Sequence, residues 1–155
     1  MESLLIVVGS QSGNSAMVAQ TLTNRLEQLG IGVDMLPEDC ADPSTLVGRT
    51  WVLVCCSTHG AGDVPDNLVA LMNALADQSV DLAGMVYGVI ALGDRTYCDT
   101  FCGGGRRVDG LFSVLGAQRV GEMLEIDAST QPFADEVALQ WLPGWLQDVK
   151  TRPTH

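Results

Sequence analysis

Cations are what this chain most lacks. Eight lysines and arginines stand against nineteen aspartates and glutamates, the formal net charge is −11, and Lys150 is the only lysine. Nucleic acids and acidic membrane surfaces are therefore poor partners, because every phosphate contact needs a cation. Solubility alone is the plainer reading of the acidity, and a basic protein surface is one counterpart such a charge allows. Its attraction reaches about 8 Å at physiological salt and serves encounter more than tight binding. Long apolar runs are also missing. None approaches the roughly eighteen residues of a membrane-spanning helix. The first apolar stretch, Leu4 to Val8, is too short for a signal-peptide core and follows an acidic Glu2, so a cytoplasmic protein is expected. Paired cysteine spacing is absent too. The five cysteines (Cys40, Cys55, Cys56, Cys98, Cys102) form an odd set with no zinc pattern, and the reading is reduced thiols and no metal site. Cys55 and Cys56 end an apolar run and read as buried small hydrophobes.

What remains is an apolar chain of one-domain length, with 46% hydrophobic and 17% charged residues over 155 positions. No repeat, linker or low-complexity stretch divides it, so a single domain over residues 1–155 is expected. Leu4 to Val8 is a continuous apolar run, and Val18, Leu22, Leu26 and Leu29 then recur at helical spacing up to Gly30. Gly32 to Leu36 reads as a short strand, and residues 37–50 as an irregular crossover with room for one helical turn. Trp51 to Cys56 is the next strand. Pro65 stands where a first helical residue would, ahead of a stripe of Leu68, Leu71, Met72 and Leu75. Met85 to Leu92 is a fourth strand. Val108, Leu111, Phe112 and Leu115 mark a helix ended by Gly116. Arg119 to Ile126 reads as one fifth strand, running on without insertion to a last helix from about Asp135. That helix carries Trp141, Leu142, Trp145, Leu146 and Val149, with a kink expected at Pro143-Gly144.

Apolar strands alternating with amphipathic helices specify an α/β fold, a parallel sheet covered on both faces. Right-handed crossovers put every strand-to-helix loop at the carboxyl edge, where such folds bind ligands. Three of these loops are polar and glycine-rich: Ser10 to Ser15, Ser57 to Asn67, and Gly93 to Cys102. The first offers the hydroxyls of Ser10, Ser12 and Ser15, the amides of Gln11 and Asn14, and Gly13, and opens straight into a helix. A helix start favours a phosphate by about 0.3–2 kcal/mol, and each hydrogen bond to a charged group adds about 1.5–3. Four or five such bonds hold a dianion without a cation, which suits a phosphate that is held and never transferred. Capping of the helix by Ser12 or Asn14 is the plainer alternative. A Walker loop is excluded by the missing Gly-Lys-Ser/Thr ending. The dinucleotide pattern is excluded by Ala16, and a hydrolase elbow by Gln11 at its centre.

Ser10-Gln11-Ser12-Gly13-Asn14-Ser15, then Ser57-Thr58-His59-Gly60-Ala61-Gly62-Asp63-Val64-Pro65-Asp66-Asn67, then Leu92-Gly93-Asp94-Arg95-Thr96-Tyr97 together resemble the three FMN loops of the flavodoxin family. The second loop is most similar to that of the MioC-type short-chain flavodoxins. The resemblance implies a flavodoxin-like three-layer sandwich with a five-stranded parallel sheet in the order 2-1-3-4-5. It implies FMN as cofactor, with the phosphate held by Ser10 to Ser15. Thr58, His59, Gly60 and Ala61 would lie along one side of the isoalloxazine ring, and Gly93, Asp94 and Tyr97 along the other. Phe101 and Cys102 close the candidate set, across a stretch one residue longer than the family spacing. His59 stands where many relatives carry a larger aromatic ring. The Gly103-Gly104-Gly105 start of the following helix reads as a frayed or closely packed first turn.

The function so implied is that of a monomeric electron carrier and not an enzyme. The donor would be a flavodoxin reductase-type protein with a basic surface, and the acceptor a redox enzyme, an iron–sulfur protein such as a biotin synthase among the choices. Two levers on the flavin follow: a Gly60-Ala61 peptide free to turn its carbonyl toward N5–H, and the acidic Asp63, Asp94, Asp99 and Asp127, which disfavour an anionic reduced ring. A phosphoacceptor receiver domain shares the strand order. It would need an aspartate after strand three and a lysine after strand five, where this chain has Cys55-Cys56-Ser57 and Glu125-Ile126-Asp127. A flavin-free interaction module that kept the fold stands as the alternative.

Overall fold

A computed structural model describes residues 3–9, 14–36, 42–56, 66–78, 80–93, 103–127 and 133–151. The elements follow in the order β1 (Ser3–Gly9), α1 (Asn14–Gln28), β2 (Gly32–Met35), a 3-10 turn (Pro43–Leu46), β3 (Trp51–Cys56), α2 (Asp66–Gln78), β4 (Val86–Gly93), α3 (Gly103–Val114), β5 (Gln118–Arg119), β6 (Leu124–Asp127) and α4 (Ala134–Thr151). All strand pairs are parallel, in the order β2-β1-β3-β4-β5, with β6 also on β4. This is the 2-1-3-4-5 arrangement that the family resemblance implies.

The alternation of side chains along each strand divides the core in two. Leu4, Ile6, Val8, Leu53, Cys55, Ile90, Leu92 and Ile126 face α1 and α4, where Val18, Leu22, Leu26, Ala138, Leu142 and Trp145 meet them. Leu5, Val7, Val52, Val54, Cys56, Tyr87, Val89 and Ala91 face α2 and α3, against Leu68, Leu71, Leu75, Val108 and Phe112. Each valine, leucine, isoleucine or phenylalanine among them, once removed from water, contributes about 1.5–3 kcal/mol, which is why the runs read as continuous and not alternating.

Helices α1 and α3 stop by one mechanism. Gly30 takes φ +82 and Gly116 φ +101, conformations open to glycine. Behind them Ile31 N–H donates to the Leu26 carbonyl and Ala117 N–H to that of Phe112, both at 3.0 Å. These are Schellman closures. Leu29, expected on the buried stripe, falls just beyond the helix and is exposed.

The fifth strand departs from expectation. Arg119 to Ile126 is not continuous but split, and four residues of β4 (Tyr87 to Ile90) face six of its partner lane (Arg119 to Leu124). Gly121 turns the chain at φ +72, and Arg119 Nε donates to its carbonyl at 3.1 Å, so the surplus is taken up as a bulge. The glycine start of α3 is closely packed: it is helical from Gly103, with Gly104 and Gly105 buried. Pro143 lies inside α4, which continues past it.

Candidate functional site

Strands β1, β3 and β4 are neighbours, and their carboxyl ends lie along one rim of the sheet, since all run parallel. The register pairs Gly9 with Cys56 and Cys56 with Ala91, and β4 extends two residues further to Gly93, level with Asp127 of β6. Helices α1, α2 and α3 all start from this rim. Chain direction also reverses here. From β1 the path leads through α1 on one face to β2, and it returns to β3 on the other side of β1, with α2 on the opposite face. The crevice outside β1 and β3 is thus the switch point of a doubly wound sheet.

Close approach at this rim rests on a missing side chain. A β-carbon on Gly9 would lie 2.5 Å from Leu68 Cδ1 and 3.1 Å from Cys56 Sγ. Glycine lets the first turn of α2 press on the end of β1, so the anchors of the first two polar segments are drawn together. The first turn of α1 carries no acidic residue, so no carboxylate in it opposes an anion at the positive end of the helix dipole. Ser15 in that turn is fully buried. Asp127 is also buried, 4% exposed, beside Gly93. One turn into α3, Arg106 Nη2 donates to Glu125 Oε2 at 2.6 Å and ties the helix start to β6. Cys55 and Cys56 are buried and not joined in a disulfide, as their sequence suggests, and burial pushes the Cys55 thiol up to about 12. Neither thiol is poised for chemistry.

Of the expected site residues, Asn14 begins α1, Ser15 sits in its first turn and Gly93 ends β4. Ser10, Gln11, Ser12, Gly13, Thr58, His59, Gly60, Ala61, Asp94, Tyr97, Phe101 and Cys102 lie outside the described residues, as do Pro65, Asp63, Asp99, Cys40 and Cys98. Sequence reasoning missed the packing role of Gly9. The only available signal was a glycine ending an otherwise apolar strand.

A switch point beside an acid-free helix start is the place where doubly wound sheets hold phosphorylated ligands such as nucleotides and flavins. Comparison with known proteins narrows this. The sequence matches the flavodoxin family model over residues 6–141. It is 35% identical over 150 residues to Protein MioC of Escherichia coli K12, covering 97% of this chain and all of that protein. It is 37% identical over 145 residues to Flavodoxin YqcA of the same strain, covering 94% and 97%. The structure of a cysteine-to-alanine variant of a flavodoxin from Pseudomonas aeruginosa superposes with a TM-score of 0.86 at 36% identity, covering 96% of this chain and 99% of that one. The chain belongs to the flavodoxin family, the FMN-binding electron carriers, and FMN is its cofactor. The described rim fits that group: an acid-free helix start stands at the switch point between β1 and β3.

Proposed function

We propose that this chain, as one flavodoxin-like domain over residues 1–155, shuttles electrons in the cytoplasm between a reductase-type donor and an acceptor redox enzyme. FMN supplies the one- and two-electron chemistry when bound. Ser10 to Ser15 hold its phosphate through hydroxyls, amides and the start of α1. Thr58 to Ala61 and the segment of Gly93, Asp94, Tyr97, Phe101 and Cys102 flank the ring, exclude water and orient its edge toward a partner. The net charge of −11 selects donors with a basic docking surface. An acceptor of iron–sulfur type belongs to the same reading. The observation that carries the proposal is the convergence of the ends of β1, β3 and β4 on one rim, beside the acid-free first turn of α1.

The test is a side-by-side titration of the apoprotein with FMN and riboflavin, read by flavin fluorescence quenching. FMN is expected to bind at least about a hundredfold tighter, or about 2.8 kcal/mol. Equal affinities would remove the phosphate site. A colourless protein that leaves both fluorescences unchanged would instead support a flavin-free interaction module.

A further inference from the structure

Helix α3 opens on three consecutive glycines, the poorest helix formers after proline, yet its first turn is helical and buried at Gly104 and Gly105. The reason is contact. A β-carbon on Gly105 would lie 2.5 Å from Ala91 Cβ, 3.3 Å from Ala91 Cα and 3.3 Å from Val89 Cγ1. Ala91 has no rotatable end to swing aside, so a side chain at 105 forces the helix turn itself to lift. Gly110, farther along the same helix, has nothing within 4 Å of its β-carbon position, so packing does not require glycine there.

The contact sits at a particular place. Ala91 is two residues before β4 ends at Gly93, and Gly105 is two residues after α3 begins at Gly103. It therefore joins the two anchors of the segment carrying Asp94 and Tyr97. Arg106, the next residue, fastens the same turn to Glu125 of β6. We propose that Gly105, seated on Ala91, is a positioning residue for the flavin: it sets the height of α3 over the end of β4, and with it the span available to that segment. The inference rests on the proposed reading that the segment meets the ring.

A lifted turn disturbs the ring side of the site and leaves the phosphate end alone. Gly105→Ala is therefore expected to weaken FMN and riboflavin by the same factor, about tenfold, and to change the visible circular dichroism of the bound flavin. Combining it with Ala91→Gly removes the colliding methyl, and affinity should return to within about threefold of wild type. Gly110→Ala should bind both flavins as wild type does. All affinities are measured where far-ultraviolet circular dichroism shows the apoprotein folded. Three outcomes each overturn the proposal: a folded Gly105→Ala with wild-type affinity and spectrum, a loss confined to FMN, or a double variant no better than the single. Should Gly105→Ala fail to fold, Ala91→Ser presses one extra atom into the same contact. An equal loss of about threefold for both flavins supports the proposal, and no loss overturns it. Wild-type protein that binds no flavin would sink the underlying reading. Wild-type binding with an indifferent Gly105→Ala sinks only the positioning role.

Discussion

On one face of the sheet Trp141 and Trp145 of α4 stack with ring centroids 5.8 Å apart and planes at 22°, while on the other Tyr87 meets Phe112 edge-on at 5.2 Å and 82°. Both arrangements are favourable aromatic geometries. They differ in what happens to the polar atom each ring carries. The Tyr87 hydroxyl donates to Asp109 Oδ1 at 2.6 Å, Asp109 Oδ2 accepts from Arg119 Nη1 at 2.8 Å, and the same arginine reaches the Gly121 carbonyl. This relay ends in a hollow of about 430 Å³ at the β5 edge, lined also by Ser113 and Gln118. The buried Trp145 Nε1, in contrast, has no hydrogen-bond partner among the described residues. It lies over Gly88, where a β-carbon would be 2.4 Å away. One face satisfies its ring by recruiting a charged pair from α3 and β5. The other accepts an unpaired N–H where a large ring packs close against bare backbone at Gly88. The lesson is that dense packing and polar satisfaction are separate demands, and an interior can meet one without the other.

The comparison can be broken most forcefully at Gly88. Gly88→Ala drives a methyl into the indole and should cost about 3 kcal/mol in urea unfolding of the folded protein. A loss below about 1 kcal/mol would mean that the indole has room to retreat.

Alkaline pH strains both faces. Burial raises Cys55, on the tryptophan face, from 9.0 to about 12. Burial, then the Asp109 hydrogen bond, raises Tyr87, on the other face, above its ordinary 10.0. Each folded value lies above the unfolded one. The stabilising contribution is therefore full below the unfolded pKa and is lost as pH climbs toward the folded pKa. Stability should be level below pH 9, then fall by about 2 kcal/mol by about pH 10.5 through Cys55 alone. Denaturant midpoints across that window measure it, and Cys55→Ala should flatten the slope.

Tyr87→Phe sharpens the contrast by removing the hydroxyl while Asp109 keeps Arg119, and it should cost about 1.5 kcal/mol. Thermal unfolding reads this, and no change would show that the relay adds nothing. The smallest effect is expected at Trp145→Phe. The cavity it opens and the unsatisfied N–H it removes, each about 1–2 kcal/mol, oppose one another. A loss as large as that of a filled-to-empty core site would argue that the N–H was never a liability.

Much of the fold was written locally. Strands β1, β3 and β4 are legible because a buried parallel strand must be apolar on both faces, and the helix ends at Gly30 and Gly116 because a left-handed turn needs glycine. The break between β5 and β6 was not legible. Nothing around Val120 to Met123 interrupts the strand pattern except Gly121, and its backbone turn is stabilised by Arg119. Of the candidate site, Asn14, Ser15 and Gly93 are brought to the rim, and the other expected contacts fall outside the described residues. The burial of Asp127 beside Gly93 needed coordinates, because a carboxylate at a strand end looks in sequence like an ordinary exit to solvent.

The sequence by itself determined the element order, the two-faced core and the three polar segments that follow β1, β3 and β4. These depend on neighbours within a few residues and on the period of the apolar pattern. Only the tertiary structure decided at which glycines a β-carbon would meet a neighbour. Gly9 against Leu68, Gly88 against Trp145 and Gly105 against Ala91 are encounters between elements distant in the chain, and the space left for a β-carbon exists only once both elements are docked.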